Sequence, residues 1–137
     1  MPGLRDIPGD HAQQKFFPGH ATAGSAAEVA LFRAPFRCTI TAVEFIAAEA
    51  ITGANTNSFT LKVRNRTTAG VGTAIPASLA FVSGVDAVAQ APKVITLSAT
   101  AADLVLAEGD VVTCEKAVVG TGLACPAGEV VVHIKAS

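Results

Sequence analysis

From residue 28 to the C-terminus, apolar side chains recur at every second position, the period of a strand that buries one face. Val29 and Leu31 alternate with Ala30 and Phe32 before Pro35 interrupts. Phe36, Cys38 and Ile40 then alternate with Arg37, Thr39 and Thr41, after which the apolar phase moves by one residue to Val43, Phe45 and Ala47. A one-residue slip would turn every following side chain to the other face, so this spacing predicts one strand carrying a β-bulge. Phe59, Leu61 and Val63 against Thr60, Lys62 and Arg64 make the cleanest amphipathic strand, with a basic outer face. Further strands are marked by Leu79 and Phe81, by Ile95 and Leu97, by 104–106, by Val112 and Cys114, and by Val130, Val132 and Ile134. Turn residues separate them at 52–57, 107–110, 120–122 and 126–128. The stretches 65–76 and 83–92 are long enough for Greek-key crossings. Thr100 and Asp103 have the spacing of a capping box, which predicts a single helical turn between 98 and 103. About eight strands and no longer helix define an all-β protein, a jelly-roll-like sandwich.

Residues 1–27 follow neither period. Pro2, Pro8 and Pro18, with Gly3, Gly9, Gly19 and Gly24, break regular structure at this density. The expected organisation is an extended N-terminal arm over 1–27 and a β-sandwich domain over 28–137. Within the arm, Lys15-Phe16-Phe17 places two adjacent aromatic rings in a polar context. Such a pair suits an arm that docks on a partner, with Arg5, Lys15, Phe16 and Phe17 as the docking residues; the alternative is a frayed terminus.

Composition sharpens this picture. Half the residues are hydrophobic and only 15% are charged, against roughly 25% in ordinary soluble domains. Ala (27 residues) and Val (16) supply the excess, while Trp and Tyr are absent. Small side chains bury little area each, so burial against copies of the same chain is expected to complete the core. A homo-oligomer, a trimer, follows. The net charge is −1, and Lys62, Arg64 and Arg66 are the one basic grouping; nucleic acid, which needs several phosphates neutralised together, is not an expected partner. Apolar runs are strand-length, so no membrane is expected. The opening Met1-Pro2-Gly3-Leu4-Arg5-Asp6 lacks the apolar core of a signal peptide, which implies synthesis in the cytoplasm.

Candidate chemistry is sparse. Three cysteines, Cys38, Cys114 and Cys125, leave at least one thiol unpaired. They read as reduced buried thiols, with a Cys114–Cys125 link across a hairpin as the alternative. No G-x-S-x-G elbow occurs, His11 and His20 lie in the arm, and His133 stands alone among valines. No Cys or His spacing suits zinc. Asp103, Glu108 and Asp110 gather round one turn and could offer oxygens to Ca²⁺, although Gly109 and Asp110 also account for the turn itself. The glycine pairs at 70 and 72 and at 120 and 122 are followed by Pro76 and Pro126 rather than by a helix, unlike a phosphate loop. Glu44 and Glu49 have opposite strand parity and would face different sides. The expectation is a protein that is not an enzyme and holds no cofactor or metal.

The stretch Ala34-Pro35-Phe36-Arg37-Cys38-Thr39-Ile40-Thr41-Ala42-Val43-Glu44-Phe45 resembles the opening strands of small proteins from tailed phages of actinobacteria. So do Asn65-Arg66-Thr67 with Gly70 and Gly72, Ala107-Glu108-Gly109-Asp110, and Gly120-Thr121-Gly122. The likeness covers about 29–134 and lies in turns and alternation. Such proteins are similar to capsid decoration, or head auxiliary, proteins. The resemblance implies a non-enzymatic virion protein on the capsid exterior, often trimeric, that spans and stabilises joints between copies of the major capsid protein through its arm. The rival reading is a fibre or tail module that recognises a host glycan or protein through 65–76 and 83–92.

Overall fold

A computed structural model describes residues 10–137. Ten strands are present: β1 (Asp10–Phe17), β2 (Ala27–Arg33), β3 (Cys38–Ala47), β4 (Ser58–Thr67), β5 (Ala74–Ala80), β6 (Pro92–Val94), β7 (Thr96–Leu97), β8 (Val105–Leu106), β9 (Val111–Val119) and β10 (Gly128–Ala136). They form two antiparallel sheets, one in the order β1-β10-β3-β6 with β8 also on β3, the other in the order β2-β9-β4-β5-β7. The pairings are nested. β1 lies on β10, β2 on β9 and β3 on β8, while β4 and β5 form the hairpin at the tip. A long antiparallel ribbon folded over so that successive pairs alternate between two sheets is a jelly roll, the architecture the alternation predicts.

The bulge expected within 36–47 is present. His133 pairs with Ala42 and Ile134 with Ile40, which leaves Thr41 as the extra residue on β3. The bulge keeps Cys38 and Ile40 on one side of it, and Val43, Phe45 and Ala47 on the other, all turned to the core. Phe17, Phe45, Phe59 and Phe81 lie between the sheets, with the Phe59 and Phe81 rings 4.9 Å apart.

Three expectations are corrected. Residues 10–17, placed in the extended arm 1–27 without a strand period, are β1. As an edge strand it sends His11, Gln13 and Lys15 to the rim of the sandwich and only Phe17 into the core, so its sequence shows no apolar period. Residues 1–9, with Arg5, lie outside the described residues. The segment 65–76 is not a crossing, because β4 and β5 are neighbours in one sheet and the hairpin loop shrinks to 68–73. Finally, Ile95 and Leu97 do not share a strand. The buried Ile95 carries the chain from β6 in one sheet to β7 in the other, and its N–H donates to the Val43 carbonyl (2.9 Å). The helical turn is a 3-10 turn at Ala101–Leu104 without a Thr100 side-chain cap. Instead, the Ser98 hydroxyl donates to Asp103 Oδ2 at 2.7 Å.

Register places the connections. The ends of β1 and β3 and the starts of β10 and β6 coincide at Phe17, Ala47, Gly128 and Pro92, and in the other sheet Ser58 faces Val119. Loops 18–26, 48–57, 81–91 and 120–127 therefore gather at one end of the sandwich, and the shorter turns 34–37, 68–73 and 107–110 at the other.

Candidate functional site

The four-loop end is tied together by backbone hydrogen bonds. His20 and Cys125 exchange a reciprocal pair at 2.9 Å, Ala48 N–H donates to the Ala127 carbonyl at 2.8 Å, and Ile51 and Ala87 exchange another reciprocal pair at 2.9 Å. Gly19 makes the first junction possible. Its φ is +63°, and a Cβ there would collide with the carbonyls of Cys125 and Pro126. Between these loops lies an open groove of about 440 Å³, lined by Pro18, Ala21, Ala48, Glu49, Ala50 and 124–127. Small side chains and prolines line it and leave polar atoms exposed among them, so its interior is unfilled. Glu49 is its one charged lining residue.

Below this end sits Lys116, which the sequence reading did not single out. It shares the inward phase of Val112 and Cys114, and that phase was the available signal. The side chain is 0% exposed. Its ammonium donates to the carbonyls of Thr22 (2.9 Å) and Ala23 (3.1 Å) and lies 5.9 Å from the Phe59 ring centroid. Burial pushes its pKa down. The lysine therefore staples loop 18–26 to β9 and leaves no accessible amine.

The expected docking residues separate. Phe16 is 57% exposed and Lys15 is exposed, whereas Phe17 is 0% exposed and packs edge-on against Phe45 at 6.2 Å. Phe17 is therefore part of the core and not a docking residue. The three cysteines are free and buried. Burial raises the thiol of Cys38 to about 11 and that of Cys125 to about 12, and pushes Cys114 up as well. His133 lies 3.0 Å from Glu44 on the outer face of the sheet, and Glu49 lies beyond the end of β3.

The acidic turn has structural work to do. Asp110 Oδ2 accepts from Asn65 Nδ2 and from Ala107 N–H, both at 2.9 Å, while Asp103 is held by Ser98. Among the described residues, no three His, Cys, Asp or Glu side chains come together in a way that could hold a metal ion. Among the described residues, no helix is long and apolar enough to cross a membrane. Two of the three cations on the basic face of β4 are paired with neighbouring carboxylates. Arg66 binds Glu28 through two bonds of 2.7 and 2.8 Å, and Arg64 binds Glu115 at 2.8 Å. The loops 68–73 and 81–91 stand at opposite ends of β5, so no single ligand surface can use both.

The class these features define is an all-antiparallel jelly roll whose outward features are a groove lined by small side chains and an exposed phenylalanine. No known family model matches the chain, and no curated protein does. Solved structures similar to this chain include two from viruses. One is a chain of the cyanophage Pam1 capsid asymmetric unit, 22% identical, with a TM-score of 0.48 over 98% of this chain and 88% of that one. The other is a chain of infectious bursal disease virus, Gx strain, 9% identical, with a TM-score of 0.45 over 92% of this chain. This chain spans 32% of the latter.

Proposed function

We propose that this chain is a non-enzymatic structural protein of a virion. It is made in the host cytoplasm and sits as an oligomer, a trimer, on the exterior of a phage capsid, where it braces neighbouring copies of the major capsid protein. One observation carries this reading. The thiols and Lys116 are buried, Asp110 is bonded within its turn, and Glu28, Glu115 and Glu44 are engaged by Arg66, Arg64 and His133. What faces outward is contact surface: a preformed groove, Phe16, and exposed aliphatic side chains such as Val71 and Val88. The likeness of the turns to head auxiliary proteins supplies the setting. Arg5, Lys15 and Phe16 are the arm residues left for contact with a partner, and Phe17 is withdrawn from that role. The test is to mix purified protein with expanded capsids of the parent phage, measure co-sedimentation, and locate the density by cryo-electron microscopy. Saturable binding to the head supports the proposal. Density on the tail, or binding to host cells with none to capsids, transfers the chain to the fibre or tail reading.

A further inference from the structure

We infer that Phe16 of one copy of this chain seats in the groove between loops 18–26, 48–57 and 120–127 of a second copy, with Lys15 beside the second copy's Glu49. This rests on the oligomeric part of the function proposed above and names the contact that builds it.

Three observations lead there. First, Phe16 is the one aromatic among the exposed large apolar side chains of the described residues. It projects from the outer face of β1, across from Glu129 on β10, where water covers most of the ring. Second, the groove has room for a large side chain and none of its own to fill it, because its lining is Ala, Pro and Cys125 with Glu49. Backbone bonds across its rim hold it open before anything binds, so little ordering is lost when a ring enters. Third, the charges match. Lys15 leaves β1 on the face opposite Phe16, but it lies on an edge strand and is long enough to reach round that edge, and Glu49 lines the groove. Both are exposed, and neither has an ionic or hydrogen-bonding partner among the described residues.

Knob and groove cannot satisfy each other within one chain. Strand pairing fixes Phe16 opposite Glu129 and Phe17 opposite Gly128, and Pro18 two residues on already lines the groove. The ring is thereby held outside the groove of its own subunit. Since the two features lie side by side, each copy can give a ring to one neighbour and receive one from another. That is a heterologous contact, which closes when the rotation between copies allows.

The test uses the full chain and its Phe16→Ser, Lys15→Glu, Glu49→Lys and Lys15→Glu/Glu49→Lys variants. Mass is followed by light scattering across a concentration series, with circular dichroism as the check on folding. The wild type is expected as a multiple of 13.8 kDa. Phe16→Ser and each single reversal weaken association at least about tenfold, and the double reversal restores it with the fold unchanged throughout. A Phe16→Ser variant of wild-type mass at every concentration, or a double reversal no better than the singles, overturns the inference. So does a Phe16→Ser variant that stays oligomeric but no longer co-sediments with capsids, because the ring then faces the capsid. A wild-type monomer that still binds capsids would sink this contact while leaving the virion role standing.

Discussion

Lys15, Phe16 and Phe17 stand in a row on one strand, and neighbouring rings meet opposite environments because successive side chains leave a strand on opposite faces. Phe17→Ala should cost about 3–5 kcal/mol, the range for emptying an aromatic site in a packed core. Phe16→Ala should change the stability of the isolated subunit by less than about 0.5 kcal/mol. Urea denaturation of both variants checks this, and equal effects would remove β1 from the sandwich. The cysteines give a second residue-scale test. All three are buried with their thiols held protonated, so a thiol reagent at neutral pH should label none in the folded protein and three on denaturation. Lys116 shows what single-residue reading misses. A lysine in the apolar phase of a strand is tolerable only because the Thr22 and Ala23 carbonyls accept its protons, and those partners lie more than ninety residues away in sequence.

At the scale of elements, the outer face of the β2-β9-β4 sheet is held by a charge ladder. Glu28 accepts two bonds from Arg66 and one from the Thr113 hydroxyl at 2.6 Å. The Arg66 bonds outweigh burial and lower its pKa from 4.5 to about 2. A carboxylate depressed in this way stabilises the fold above its unfolded pKa and loses that contribution as pH falls through the folded value. Stability should therefore decline between about pH 4.5 and 2. With solvent screening at this half-open site, the decline should be about 1 kcal/mol. A Glu28→Gln variant, compared with wild type by urea denaturation across that range, should lack this part of the slope; an identical slope would sink the assignment. Element by element, the alternation over 36–47 and 59–63 was legible, bulge included, because one face of each strand is apolar and the other is not. β1 was not legible. An edge strand buries only part of one face, so DHAQQKFF carries no period to read.

For the molecule as a whole, the nested pairing makes the first described strand and the last one neighbours, with Asp10 across from Lys135 and Phe17 across from Gly128. Removing residues 1–17 would strip β10 of its neighbour and take Phe17 from the core, so that truncation should be largely unfolded or aggregated. Removing residues 1–9 alone should leave the circular dichroism spectrum and melting temperature close to wild type. If the shorter truncation unfolds as fully as the longer, β1 is not the boundary of the folded unit. Partners so distant in sequence also predict slow folding, since loop closure must precede most of the contacts that reward it.

The order of residues by itself determined the strand-rich class, the positions of the main core strands and a bulge between Ile40 and Val43, because each follows from side-chain alternation within a few residues. It also marked Phe16 and Phe17 as a pair of rings in a polar context, without separating them. Only the tertiary structure decided that Phe17 is core while Phe16 is surface and that Lys116 is buried under two carbonyls. It alone showed that loops 18–26, 48–57 and 120–127 meet around an open groove of small side chains beside β1. Those outcomes depend on which distant strands become neighbours, and pairing across more than a hundred residues leaves no periodic trace in the segments that take part.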